Sequence, residues 1–84
     1  MKRIKLVVKN IYCNGCADLI KKEIIREFKL KLDKLIVERI NHDEHNIIID
    51  SQKKINEIDM YRVLHRRNVE LLNFEEKNIK KVNS

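Results

Sequence analysis

The sequence predicts an α+β fold: a two-layer sandwich of one four-stranded antiparallel sheet with two helices on one face. Three observations lead there. Apolar residues alternate in short runs in four segments and recur at helical spacing in two others. The segments run strand, helix, strand, strand, helix, strand. The chain has 84 residues, the length of one small domain.

The first strand is "RIKLVVKN", residues 3–10, with Ile4, Leu6 and Val8 on one face. A loop carrying Cys13, Gly15 and Cys16 follows. Ala17, Ile20, Ile24 and Phe28 then recur at helical spacing, with Lys21, Lys22 and Glu23 between them, which predicts an amphipathic helix from Gly15 to Lys29. "KLKLDK" reads either as more helix or as a linker. "LIVERI" is the second strand, "NHDEHN" a polar turn and "NIIID" the third strand, a hairpin with a four-to-six-residue loop.

"INEIDMYRVLHRRN" is the second helix. Asn56 fits its N-cap, and Asp59 three residues on resembles the partner in a capping box. Met60, Val63, Leu64 and Arg67 share one face, which makes Met60 a core residue. Asn68 stands where a left-handed residue ends the helix. "VELLNF" is the last strand. The domain is therefore read as residues 1–75, with 76–84 a charged, frayed tail. Right-handed crossovers turn this order into a ferredoxin-like βαββαβ sandwich with strand order 4-1-3-2. One end of that sheet gathers the cysteine loop, the "NHDEHN" turn and the "RRN" corner.

Composition narrows the function classes. The net charge of +6 favours acidic partners. RNA-recognition domains of this topology stack bases on aromatics of strands 1 and 3, and "IKLVV" and "NIIID" contain none, so no nucleic-acid partner is expected. The apolar run "LVV" is too short for a secretory signal, and no stretch approaches the ~18–20 apolar residues of a membrane span. A cytoplasmic protein without direct membrane insertion is expected. Thiols stay reduced there, so the pair reads as metal-binding or catalytic before it reads as a structural disulfide.

Cys13 ends the loop and Cys16 opens the helix, so both sulfurs can leave one turn together. The positive end of the helix favours their thiolates, the form that binds soft metals and attacks disulfides. Gly15 is read as the residue that lets this turn close tightly. Four readings stay open. One is a two-thiolate site for a soft ion such as Cu(I). Another is thiol–disulfide exchange, weakened because thioredoxin-like folds set a cis-proline against the pair and this chain has no proline. A closed zinc site needs four ligands, hence histidines or a dimer. The plainest reading is two small apolar residues.

"NIYCNGC" within this element order, over residues 3–75, resembles the heavy-metal-associated domain, the family of small copper chaperones, mercury-binding proteins and N-terminal domains of metal-pumping ATPases. Its motif is G-M-T-C-x-x-C, and Cys13 and Cys16 match its metal cysteines. Ile20, Ile24, Ile55, Met60 and Leu64 match its core spacing, and Asn68-Val69 stands at its Gly-Tyr. Asn10, Ile11 and Tyr12 replace the Gly, Met and Thr. Ile11 can serve as the apolar plug beneath the loop, and Tyr12 could shield the metal or narrow its access.

The resemblance implies binding and transfer of a soft metal ion. Cu(I) is the first candidate, with Zn(II) or another soft divalent ion such as Cd or Hg the alternative. It implies no enzyme. It implies a protein partner with an acidic face, such as a domain of a metal-transporting P-type ATPase, and a monomer or metal-bridged dimer. A family member drifted into a protein-interaction module is the alternative outside metals.

Around the site, Lys21, Lys22, Arg66 and Arg67 are candidates for partner docking, or a solvated charged face. Arg66 and Arg67 are also placed to stabilise a thiolate pair. His42 and His45 form an HxxH read as solvated turn residues, roughly 10 Å from the cysteine loop if two strand spacings intervene. His65 reads as a surface residue near the loop.

Overall fold

The structure, a computed structural model, describes residues 2–78. Strand β1 (Lys2–Lys9) leads to helix α1 (Asn14–Phe28), a single 3-10 turn (Leu32–Lys34), the hairpin β2 (Leu35–Arg39) and β3 (Glu44–Ser51), helix α2 (Glu57–His65) and strand β4 (Glu70–Asn78). The strands form one antiparallel sheet in the order β2-β3-β1-β4, the predicted ferredoxin-like arrangement.

Alternation in β1 buries Ile4, Leu6 and Val8 completely beneath the helices, while Arg3, Lys5 and Lys9 stay exposed. β3 adds Ile47 and Ile49, and β2 adds Leu35. The helices cover them with Ile20 and Ile24 from α1 and Met60, Val63 and Leu64 from α2. Each such side chain contributes roughly 1.5–3 kcal/mol by leaving water.

The segment left open between helix and strand is a linker. Lys29 takes a left-handed conformation (φ 52°), and the amide of Leu30 donates to the carbonyl of Ile25, 3.0 Å away, closing α1. Alternating lysine and leucine gives no helical stripe: Leu30 packs against the core, whereas Leu32 points outward.

α2 begins after Asn56, as its sequence predicts, but the Asn56 side chain makes no capping hydrogen bond. Glu57 and Asp59 instead face the positive end of the helix as charges. Asn68 is left-handed (φ 60°), and the amide of Val69 donates to the carbonyl of Leu64.

β4 runs beyond the expected "VELLNF". Glu76, Lys77 and Asn78 pair with Ile4, Arg3 and Lys2, and the Lys2 ammonium lies 3.7 Å from the Glu76 carboxylate. The sandwich therefore includes residues 76–78, read from their charge as tail. Those charges sit on an exposed edge strand, where they find cross-strand partners and discourage further pairing. The rest of that tail lies outside the described residues. Among the described residues no helix is long and apolar enough to cross a membrane.

Candidate metal centre

Lys9 pairs with both Glu44 and Glu70, so the end of β1 meets the beginnings of β3 and β4. The cysteine loop, the hairpin loop and the α2–β4 corner thereby share one end of the sheet, as expected. Asn10 makes the turn out of β1 in the left-handed region (φ 77°), which asparagine tolerates better than most residues. Ile11 is buried beneath the loop, and its amide donates to the carbonyl of Asp43 at 3.1 Å. The hairpin loop thus touches the cysteine loop directly. The premise of two intervening strand spacings does not hold, because β3 is the immediate neighbour of β1.

Cys13 is the N-cap of α1. Its backbone is extended, its carbonyl accepts the first helical bond from Ala17, and its Sγ accepts the Cys16 amide at 3.2 Å. Sulfur thus occupies the place where Ser or Asp oxygen normally caps a helix. No acidic side chain in the first turn offsets the helix dipole. Both cysteines are exposed and unpaired by a disulfide, with their Sγ atoms 2.7 Å apart.

The Cys13 thiol is held below its ordinary pKa, first by the Cys16 thiol, then by the Cys16 amide, with smaller help from the Gly15 amide and Arg39. The Cys16 thiol is pushed up, first by its hydrogen bond with the Cys13 thiol and then by desolvation. The pair therefore loses its first proton early and its second late.

Gly15 plays a different part from the one its sequence suggests. It lies inside α1, no glycine has a positive φ, and a Cβ on it would meet only the Cys13 Sγ at 4.0 Å. The strained turn belongs to Asn10. Tyr12 is 60% exposed, and its hydroxyl donates to the Asn10 side chain at 3.3 Å, bracing the turn.

Arg66 and Arg67 are not free to serve the sulfurs. Arg66 pairs with Glu27 at 2.9 Å and Arg67 with Glu23 at 3.0 Å, clamping α2 to α1. Arg67 still lines a small hollow of about 110 Å³ beside Cys16, with Leu19 and Val69. The cation that acts on Cys13 is Arg39, absent from the expected set. Its guanidinium donates to the carbonyls of Asn41 (3.0 Å), His42 (3.1 Å) and Tyr12 (3.4 Å), joining the two loops. Strand alternation carried the signal, since Leu35, Val37 and Arg39 share the inner face. Lys21, half-buried, lines a cleft of about 220 Å³ with Arg39 and Asp18, and Lys22 is exposed.

The two histidines part company. His42 is exposed, with Nε2 3.5 Å from the Asp43 carboxylate. His45 is not a solvated turn residue. It lies on the inner face of β3 at 3% exposure, and no protein group hydrogen-bonds its Nδ1. His65 is exposed and stacks on Tyr61.

Among the described residues no group of three or more His, Cys, Asp or Glu side chains is placed to hold a metal ion, so one copy brings two thiolates. Two metal–sulfur bonds of about 2.3 Å would set the sulfurs roughly 3.8–4.6 Å apart, from a tetrahedral to a linear angle. Loading an ion would therefore swing these exposed side chains apart by more than about 1 Å, a rotamer change at the surface. The chain was compared with protein families, curated proteins and solved structures, and nothing matched.

Proposed function

We propose that the protein binds a soft metal ion through Cys13 and Cys16 and passes it to a partner, with Cu(I) the first cargo to test. The observation that carries this reading is the pair itself: two exposed sulfurs side by side at the positive end of α1, one held toward thiolate. The likeness of "NIYCNGC" and the element order to the heavy-metal-associated domain supports it. Two thiolates satisfy Cu(I), which accepts low coordination, and leave it open to an incoming thiolate. Zn(II) or another divalent soft ion requires further ligands, from a partner or a second copy. The setting proposed is the reducing cytoplasm, and the partner a protein with an acidic face, as on a metal-transporting ATPase. The chemistry requires no covalent catalysis.

One observation favours a second reading, thiol–disulfide exchange. The unequal thiols resemble an attacking and a resolving cysteine, with Cys13 the nucleophile.

A titration of the reduced protein with Cu(I) against a competing chelator tests the first reading, beside a Cys13→Ser/Cys16→Ser variant. Equal copper retention by both proteins ends it. Zn(II) in parallel tests the choice of metal. Robust turnover in an insulin-reduction assay, with weak metal retention, transfers the site to redox chemistry.

A further inference from the structure

The basic residues divide into two kinds. Arg3, Arg66 and Arg67 are held by Asp50, Glu27 and Glu23. Lys29, Lys31, Lys34 and Lys53 form no ion pair among the described residues, and all four line one concavity of about 370 Å³. It lies where α1 ends, β2 begins and β3 ends, at the far end of the sheet from the cysteines. β1 separates the two ends by seven residue steps, ~23 Å at ~3.3 Å each.

The backbone fixes these lysines from three directions. Lys29 closes α1 in the left-handed region (φ 52°), a conformation that sterically disfavours any residue with a Cβ. Lys31 and Lys34 flank and end the 3-10 turn. Lys53 is tied by the buried Ser51, whose hydroxyl donates to the Lys53 carbonyl at 2.9 Å and accepts its amide at 3.0 Å. The one acid in the concavity, Asp50, is already engaged by Arg3 through two hydrogen bonds of 2.9 and 3.4 Å. Arg3 thus takes the larger share of its charge and Lys34 a smaller one, and no other acid lines the concavity to balance the four lysines. The concavity has the size of a small-ligand site.

We propose that this concavity is a binding site for a ligand carrying at least two phosphate groups. Four ammonium groups from three parts of the chain suit several oxyanions of one ligand better than a single carboxylate, because each phosphate offers multiple charged acceptors. Phe28 and Leu30, half-buried at the base, leave room for an apolar or ring portion. The shared chemistry is two closely spaced phosphate groups, presented free or on a lipid headgroup. The site is independent of the thiols.

The test is an amide-resolved NMR titration with pyrophosphate, beside co-sedimentation with phosphatidylcholine vesicles with and without a bisphosphorylated inositol lipid. The wild type is compared with Lys31→Glu/Lys53→Glu, Lys31→Arg/Lys53→Arg and a charge-matched control, Lys5→Glu/Lys9→Glu, each checked for folding by its thermal melt. Saturable binding that shifts the amides of residues 29–34 and 51–53 is expected. The Lys31→Glu/Lys53→Glu change should weaken it roughly tenfold or more, while the arginine and control pairs retain it. Saturation by pyrophosphate identifies a free ligand, and by the lipid vesicles alone a headgroup; either supports the site. Absence of saturation with both sources overturns the proposal. Equal weakening by the control pair also overturns it, as net charge would then explain binding. The Cys13→Ser/Cys16→Ser variant should bind pyrophosphate like the wild type, so loss of the metal reading leaves this site standing.

Discussion

Replacing His45 by leucine should raise stability, and raise it more as the pH falls. The imidazole is 3% exposed on the inner face of β3, with Nδ1 unpartnered by any protein group. An unmatched buried polar atom costs on the order of 1 kcal/mol or more, which an apolar side chain of similar size recovers at neutral pH. The charged groups around the ring are Arg39 from β2 and Asp18 and Lys21 from α1. Burial, then Arg39, pushes the imidazole pKa below its ordinary 6.5. The unfolded chain therefore binds a proton at a pH where the folded one does not. Stability is intact above the unfolded value and is lost as the pH falls through it toward the folded value.

The size of that loss has a ceiling. If the folded imidazole stayed wholly neutral at pH 5, the unfolded state would gain RT ln(1 + 10^1.5), about 2 kcal/mol. The assay is urea unfolding of wild type and His45→Leu between pH 5 and 8. The variant should start roughly 1 kcal/mol more stable at pH 8, and the gap should widen toward pH 5. Parallel pH profiles, or a variant less stable than wild type throughout, would refute the reasoning.

Three further outcomes are expected. Gly15→Ala should stabilise α1 by about 0.5–1 kcal/mol in thermal melts, because the position is helical and a Cβ fits; destabilisation would show that the backbone needs glycine there. Asn10→Ala should cost about 1 kcal/mol and Asn10→Gly little, since φ is 77°; equal melting of the two variants would contradict that assignment of strain. Cys16→Ala should move the Cys13 thiol up toward its ordinary value by removing its largest stabiliser, while the backbone amides keep it somewhat low. The pH dependence of alkylation by iodoacetamide reads this directly, and an unmoved profile would shift the cause to the helix alone.

The sequence made the core faces legible because a strand repeats every two residues and a helix every 3.6. Ile4, Leu6 and Val8, and Ile20 and Ile24, could be placed by spacing alone. His45 was hidden by its neighbours. In "NHDEHN" it reads as one more polar turn residue, yet β3 begins at Glu44 and strict alternation with Ile47 and Ile49 turns it inward. Gly15 misled for the opposite reason. Glycine beside two cysteines suggests a tight turn, but the turn was made earlier by Asn10, and a left-handed asparagine looks like any other asparagine in a sequence. The far end of β4 was obscured because edge strands carry charge by design of their exposure, so pairing with β1 leaves no apolar alternation to read.

Arg39 shows why the site's cation comes from the sheet and not from the two arginines that follow α2. α2 packs beside α1, so Arg66 and Arg67 meet Glu27 and Glu23 before they can reach the sulfurs. The inner row of β2 runs Leu35, Val37, Arg39 and faces Ile49, Ile47 and His45 in turn. Its last member arrives where the apolar layer ends, and a guanidinium there extends its stem past the core and its head into the loops. Three loop carbonyls fix that head in place. The same side chain therefore joins the cysteine and hairpin loops, makes a minor contribution to lowering the Cys13 thiol and, after burial, helps to lower the His45 imidazole. Through the His42 and Tyr12 carbonyls, Arg39 ties the hairpin loop to the residue that precedes Cys13.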